Sequence, residues 1–103
     1  MALTEDAVRN ALAEVIDPEL GINIVDLGLV YGVEIAGAGV RVTMTMTSPA
    51  CPLGSYLRDL VDQTLHWRLR DAEHVQIDLV WEPAWRPGMM TARGREQLAG
   101  RMG

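Results

Sequence analysis

The segment VRVTMTMTSPACPLGSYLRDLVDQTL, residues 40–65, changes from one hydrophobic period to another along its length. Its first seven residues alternate between apolar and polar side chains, which is typical of a half-buried β-strand. Residues 47–54 contain two prolines and a glycine and interrupt this strand. Beyond them, apolar side chains recur at helical spacing, which predicts an amphipathic helix from about Pro52 to His66.

The residues before this segment predict its partner strand. The side chains of Leu29, Tyr31, Val33 and Ile35 recur with a period of two and are expected to share one side of a strand. The small residues 36–39 then join this strand to the one that begins at Val40. The two strands are therefore predicted to form a β-hairpin.

The residues after the segment predict a third strand. Alternation resumes from Val75 to Trp81, and because a helix links it to the preceding strand, the two strands should run parallel. The proline-containing loop that follows cannot continue a regular strand, and a short helix is predicted from Thr91 to about Leu98.

The N-terminal residues predict a first helix. Thr4 is a suitable N-cap, since two acidic residues follow it in the first turn. Apolar residues then repeat at helical spacing to Ile16, and the helix is expected to end before Pro18. The chain is thus predicted to be one α+β domain, residues 1–103. Its order is helix-strand-strand-helix-strand-helix, with helices packed on a three-stranded mixed sheet.

Composition and charge narrow the classes of function. The 103 residues carry a net charge of -5, which disfavours nucleic-acid binding because phosphate groups require a concentrated positive surface. No apolar run is long enough to cross a membrane, and the N-terminus lacks a secretory pattern, so we expect a cytoplasmic protein. A core of this size is modest, and a homodimer would add stability.

Cys51 is the single cysteine and lies where the second strand passes into the second helix. Unpaired N–H groups and the positive end of the helix dipole at such a position favour a thiolate, the form that binds metal or attacks electrophiles. A small apolar side chain that fills the start of the helix is an equally good interpretation.

The two histidines, His66 and His74, are the candidate bases for a catalytic cysteine. His66 is near the far end of a helix about 20 Å long, and His74 precedes a strand parallel to the second one. Both are therefore expected at the opposite end of the fold from Cys51, and we do not expect an enzyme. A second cysteine to resolve a disulfide is also lacking, which disfavours a thiol redox function.

The loop after the third strand is expected near the thiol, because the carboxyl ends of parallel strands meet at one edge of a sheet. Within this loop, Trp85 and Pro83 are suited either to shield a sulfur-bound metal from water or to cap the core. We assign Trp85 to the site and expect Trp81 to cap the core. Met89 and Met90 are interpreted as residues that fill gaps in the core rather than as soft metal ligands.

Carboxylates also occur outside the predicted helices and strands. Asp17 and Glu19 flank Pro18, and Asp26 precedes the first strand. Asp17 and Glu19 are either turn-forming residues or part of a site, and their spacing does not discriminate between these roles.

Four motifs together resemble one known family, the SufT- and PaaD-like metal-sulfur (iron-sulfur) cluster assembly factors. They are Asp17-Pro18-Glu19, the segment 24–31, the segment 44–54 around Thr-Ser-Pro-Ala-Cys-Pro, and Trp81-Glu82-Pro83-Ala84-Trp85 continuing to Met90. The resemblance covers nearly the whole chain. It implies an α+β fold and a non-catalytic function in iron-sulfur cluster assembly or delivery, with cluster scaffolds and client proteins as partners.

The resemblance also implies which residues carry that function. The cysteine that matches Cys51 is the expected metal ligand, and Thr47, Asp17 and Glu19 are its expected neighbours. Trp85 completes the predicted site. A single cysteine cannot supply the four ligands that a cluster usually takes, so we expect transiently bound iron or a cluster, shared between subunits or with a client. A metal-free adaptor that links a scaffold to its clients is the alternative.

Overall fold

The computed structural model describes residues 3–47 and 54–102, which form three α-helices and a three-stranded sheet. The elements are α1 (Glu5–Leu12), β1 (Val30–Ala36), β2 (Gly39–Met44), α2 (Gly54–Arg68), β3 (His74–Leu79) and α3 (Ala92–Met102), with a short 3-10 helix at Pro87–Met89. This order confirms the predicted α+β class.

The sheet has the order β1-β2-β3. β1 and β2 pair antiparallel through the tight turn between them, whereas β2 and β3 pair in parallel from Gly39 opposite His74 to Met44 opposite Leu79. The helical crossover between β2 and β3 and their parallel direction are both confirmed. The carboxyl ends of these two strands consequently lie side by side.

The first helix is shorter than the sequence predicts. Thr4 caps it as expected, since its hydroxyl accepts a hydrogen bond from Ala7 N at 3.0 Å, but α1 ends at Leu12 rather than just before Pro18. Beyond Leu12 the backbone pairs with residues 22–24 instead of continuing the helix. Ile16 is 45% exposed, so its predicted place on the apolar face of a helix is wrong.

The first strand contains a bulge that the sequence pattern does not predict. Val30 pairs with Met44 and Gly32 with Thr43, so Tyr31 is an extra residue between them. Val30 therefore shares the core-facing register of Val33, and the prediction of an uninterrupted alternation from Leu29 to Ile35 is wrong.

The core lies on one face of the sheet, beneath α1 and α2. Its buried side chains come from both helices, from β2 and β3 and from the segment between α1 and β1, and include Val8, Leu12, Ile22, Ile24, Leu27, Leu29, Val42, Met44, Val61, Leu65 and Ile77. The opposite face of the sheet is polar and carries Glu34, Arg41, Gln76 and Asp78. Hydrogen bonds from Gln76 and Arg41 hold the pKa of Asp78 below its usual range.

Several element ends differ by a few residues from the predicted ones. β2 ends at Met44 and β3 at Leu79, each two residues early, and α3 continues to Met102 instead of Leu98. Within residues 3–47 and 54–102, no helix is both long and apolar enough to cross a membrane.

Candidate functional site

The site is predicted at the end of the sheet that is formed by the carboxyl ends of β2 and β3. Val80 N donates a hydrogen bond to Met44 O at 2.8 Å, which extends the pairing of the two strands by one residue. Thr45 N donates to Leu29 O at 2.9 Å, so the turn before β1 reaches the same end. The predicted convergence of the two strand ends is confirmed.

The connection from β2 to α2 contains the predicted metal ligand. Thr47 is half-buried and is the last described residue before this connection, and α2 begins at Gly54 beyond it. Cys51 and Pro52 lie outside the described residues. The role of Cys51 as a ligand, with Thr47 beside it, remains a prediction.

Trp85 is held against the segment that precedes β1. Its indole Nε1–H donates to Leu27 O at 2.7 Å, and its half-buried ring packs against the core. Because Leu29 in the same turn accepts the hydrogen bond from Thr45 N, Trp85 and the end of β2 are fixed to one short segment. Trp81, by contrast, is 42% exposed, so the prediction that it caps the core is wrong.

The rest of the loop, from Pro83 to Met90, is anchored by side chains. The Tyr31 hydroxyl lies 2.6 Å from Pro83 O and 3.5 Å from Met89 Sδ, so its proton is donated to one acceptor or the other. Met90 is buried in the core, which confirms its predicted filling role, and Met89 is half-buried beside Tyr31. The bulge at Tyr31 thus supplies the hydroxyl that holds this loop.

The turn before β1 also fastens the C-terminal residues of the domain. Gly28 has φ +79°, and a Cβ atom there would lie 2.3 Å from Met89 O. Asp26 accepts hydrogen bonds from Asn23 Nδ2 at 2.8 Å and from Thr91 Oγ1 at 3.0 Å, and its carbonyl accepts one from Thr91 N at 2.9 Å. These contacts bring the start of α3 against the segment 23–28.

Asp26 and Thr91 are contributions that sequence reasoning did not assign. Thr91 Oγ1 accepts a hydrogen bond from Gly94 N at 3.0 Å and is therefore the N-cap of α3. A threonine three residues before the first helical glycine was a usable signal for this cap. No local pattern indicated that Asp26 is its partner, because 65 residues separate the two.

Asp17 and Glu19 form a tight turn. Asp17 is buried, and its Oδ1 accepts hydrogen bonds from Glu19 N at 2.7 Å and Leu20 N at 3.2 Å. Asp17 O accepts from Gly21 N at 2.7 Å, and Asp17 N donates to Ile22 O at 3.0 Å. The turn-forming role is therefore present for Asp17, and the side chain of Glu19 in the same turn is exposed. A role of either residue in metal binding remains a prediction.

Thr45 has an unusual environment for a polar side chain. It is 0% exposed, and its Oγ1 has no hydrogen-bond partner in the part of the chain that the structure describes. A buried hydroxyl without a partner costs about 1–3 kcal/mol. This hydroxyl lies two residues before Thr47, at the end of the sheet where the site is predicted, and was not singled out by the sequence pattern.

The two histidines occupy the opposite end of the sheet and helix. His66 is in the last turn of α2, where its Nδ1 lies 2.9 Å from Asp62 O, and His74 is the first residue of β3. Among the described residues, no three His, Cys, Asp or Glu side chains gather into a group able to hold a metal.

Comparison with known proteins gives consistent results. The model of the family described as "Iron-sulfur cluster assembly protein" matches residues 5–79. The Fe-S protein maturation auxiliary factor SufT of Staphylococcus aureus is 45% identical over 78 residues, which cover 75% of this chain and 88% of that protein. The Fe-S protein maturation auxiliary factor YitW of Bacillus subtilis is 42% identical over 85 residues, covering 82% and 81%.

A solved structure also shares the fold. A domain of unknown function, DUF59, from Bacillus anthracis superimposes with a TM-score of 0.90 at 34% identity, covering 92% of this chain and 91% of that one. The family match covers well over half of the chain and includes the turn at Asp17, the β-hairpin, α2 and β3. The chain belongs to the iron-sulfur cluster assembly protein family.

Proposed function

We propose that this protein is a non-catalytic cytoplasmic factor in the assembly of iron-sulfur clusters or their delivery to client proteins, with the Cys51 thiolate as its contribution to the ligand shell. Membership of the family and the names of its relatives support the general function. Cluster scaffolds and client proteins are the partners. The iron or cluster is cargo and is held only transiently.

The hydrogen bonds next to the connection from β2 to α2 are the observation that carries this proposal. The end of β3 is hydrogen-bonded to the end of β2, and the segment 27–29 accepts hydrogen bonds from both Thr45 and Trp85. A cysteine in the connection follows a rigid strand end and precedes the positive end of a 15-residue helix, which favours its thiolate form. Such a position supports a thiolate ligand on an ordered platform.

The number of ligands favours delivery over storage. An iron-sulfur cluster usually takes four ligands, and this chain has one cysteine. The remaining ligands come from the client, from a low-molecular-weight thiol, from carboxylates such as those of Glu19 and Asp17, or from a second copy of the chain. An incomplete shell lets a client replace ligands one at a time.

A metal-free adaptor is the second candidate function. It is favoured by three exposed aromatic side chains, Tyr56 at 54%, Trp67 at 69% and Trp81 at 42% exposure. Aromatic residues are enriched at protein interfaces, and these side chains are suited to bind a scaffold or a client. In this function Cys51 contacts a partner and holds no metal.

Anaerobic reconstitution with iron and sulfide tests the ligand role of Cys51. Visible absorption is expected in the wild type and in the control Ser55→Ala, which changes an exposed residue in the first turn of α2. The absorption should vanish in Cys51→Ala and weaken in Thr47→Val. Absorption that persists unchanged in Cys51→Ala would rule out ligation by this residue.

Maturation of an iron-sulfur client enzyme in cells tests the function itself. Cys51→Ala is expected to abolish the contribution of this protein to client activity, whereas Ser55→Ala should leave it intact. Unchanged maturation by Cys51→Ala would refute the proposal that function centres on Cys51. Loss of maturation by a protein that binds no metal in the reconstitution would identify the adaptor.

A further inference from the structure

β3 is an outer strand of the sheet. It pairs with β2 along one side, and no other strand of the described residues pairs with its other side, which is called here the β3 edge. Val80 N and His74 N donate to Met44 O and Ala38 O, so the even-numbered residues direct their backbone groups toward β2. The odd-numbered residues between them, Val75 and Ile77, therefore direct theirs away from the sheet.

A side chain from α2 contacts this free edge. Arg58 Nη2 donates to Ile77 O at 3.4 Å, which agrees with the outward direction of the Ile77 carbonyl. Beside the edge is an open groove of about 690 Å³, whose lining includes Arg58, Asp59 and Asp62 of α2 and residues 74–77 of β3. The edge thus borders an open groove, and its Ile77 carbonyl is bonded by the side chain of Arg58.

We infer that a second copy of this chain pairs with β3 in antiparallel orientation, around a two-fold axis at Gln76, and extends the three-stranded sheet to six strands. An exposed strand edge offers unpaired N–H and C=O groups to another strand. Two copies of the same edge meet in an isologous contact, in which each residue pair occurs twice.

The backbone directions agree with this register. Centring the pair on Gln76 places Val75 of each copy opposite Ile77 of the other. Both residues direct their N–H and C=O groups outward, so the two pairs form four hydrogen bonds, in which the Ile77 carbonyl accepts from Val75 N of the other copy once Arg58 turns toward Asp62 of that copy. A register shifted by one residue would oppose an outward-facing residue to one already bonded to β2, and these hydrogen bonds would be lost.

The side chains on the polar face of the sheet are also complementary in this register. His74 of each copy lies opposite Asp78 of the other, which brings an imidazole to a carboxylate. On the core face, half-buried Val75 meets Ile77, so two β-branched side chains pack across the axis.

The helices add a second complementary pair. α2 runs antiparallel to β3, and Asp62 lies about 6 Å along the helix from Arg58. Val75 lies about 6.6 Å along the strand from Ile77 in the same direction, so Asp62 is level with Val75 when Arg58 is level with Ile77. The two-fold axis therefore opposes Arg58 of one copy to Asp62 of the other.

This arrangement separates the two predicted cluster sites. Gly54 begins α2 about 6 Å beyond Arg58, which places it about 9 Å from the axis along the strand direction. The N-termini of the two α2 helices are then about 18 Å apart along that direction. In this dimer each site is completed by a client or a small thiol rather than by the second copy.

Sedimentation velocity of the full chain from about 5 to about 500 µM tests the interface. A single strand pair with two ion pairs is at the small end of protein interfaces, so we expect a dissociation constant on the order of 100 µM. Arg58→Asp should raise this constant about tenfold or more, because it opposes two acidic groups twice across the axis. Arg70→Asp makes the same charge change at an exposed residue after α2 and should leave the constant unchanged.

A charge exchange distinguishes a specific contact from a general charge effect. The double variant Arg58→Asp/Asp62→Arg restores the opposed charges and should return the dissociation constant to within about threefold of wild type. Val75→Pro removes an outward N–H without removing a hydrogen bond to β2, and it should abolish the dimer while circular dichroism shows a folded chain.

Three results would overturn this interface. The first is a wild type that stays monomeric at every concentration, whether or not its β3 edge binds an extended client peptide instead. The second is a double variant whose dissociation constant does not return toward that of wild type. The third is an Arg70→Asp variant whose dissociation constant rises as much as that of Arg58→Asp. Neither Arg58 nor Asp62 belongs to the proposed ligand set, so the interface and the function of Cys51 can fail separately.

Discussion

Substitution of Gly28 by alanine should destabilise the domain through the contact between the turn before β1 and the loop before α3. Gly28 has φ +79°, a conformation that costs an alanine about 1–2 kcal/mol. The added Cβ would also lie 2.3 Å from Met89 O, so the loop must move by about 1 Å to restore normal contact. That movement strains the hydrogen bonds that Tyr31 and Asp26 make to this region, each of which contributes about 0.5–1.5 kcal/mol. The expected loss is about 2–5 kcal/mol in the free energy of unfolding.

Alanine substitutions at three other glycines separate the cost of a positive φ from the cost of the close contact that an added Cβ makes. Gly37 has φ +60° with no atom of the described structure within 4 Å of an added Cβ, so Gly37→Ala should cost only the conformational term of about 1 kcal/mol. Gly94→Ala places its Cβ 2.6 Å from Asp26 O without a positive φ, and should cost about 1–3 kcal/mol after the gain in helix propensity. Gly100, in α3 and in open space, should become neutral to about 1 kcal/mol more stable as alanine.

Urea unfolding followed by circular dichroism measures all four variants on one scale. For a domain of this size, 1 kcal/mol corresponds to about 4–8 °C in Tm, so in a thermal melt Gly28→Ala should unfold at least about 8 °C below wild type. If Gly28→Ala is no less stable than Gly37→Ala, the close approach of Met89 to Gly28 contributes nothing and the reasoning is refuted.

Two further changes test the loop and the polar face. Trp85→Phe should cost about 1–3 kcal/mol in urea unfolding, because a half-buried carbonyl loses its indole donor, whereas Trp81→Phe at an exposed position should change stability by less than about 0.5 kcal/mol; equal effects would contradict the assigned hydrogen bond. Because hydrogen bonds from Gln76 and Arg41 lower the pKa of Asp78 in the folded chain, this group stabilises the fold above its unfolded pKa and ceases to do so as the pH falls through its folded pKa. Gln76→Ala should therefore raise the pKa of Asp78 in an NMR titration, and an unchanged value would refute the stated cause.

The parallel arrangement of β2 and β3 was predictable from sequence because the periods on either side of residues 47–54 differ so clearly. The alternation over residues 40–46 gives one apolar face only in a strand, and the spacing of the apolar residues that follow gives one only in a helix. Handedness rules then fix the crossover. Local pattern and global fold agree here, so the prediction succeeded.

The segment between α1 and β1 was not predictable in the same way. Apolar spacing continues past Leu12 to Ile16, yet the backbone of Val15 to Asp17 pairs with residues 22–24. The apolar spacing indicates only that the side chain of Val15 is buried, and either a helix or this paired loop can bury it. Backbone pairing across the turn at Asp17 overrode helix propensity, which is a weak preference.

The candidate site shows the same division between local and distant information. Turn chemistry at Asp17 and the N-cap at Thr91 depend on residues within four positions, and sequence reasoning can reach both. The indole of Trp85 bonds to Leu27, 58 residues away, and no periodicity encodes that choice. The loop was correctly expected near the carboxyl ends of the strands, but its attachment to Leu27 could be identified only from the structure.

The way the site is attached has a consequence for its function. The turn at 27–29 accepts hydrogen bonds from both Thr45 and Trp85, and the neighbouring residues of β1 join the sheet directly. The strand end and the loop are therefore both hydrogen-bonded to the segment 27–29. On either side of residues 48–53, side chains of β2 and α2 are buried in the core. None of these hydrogen bonds involves Cys51, so under the proposed function a cluster that binds to Cys51 and is released again would leave them in place.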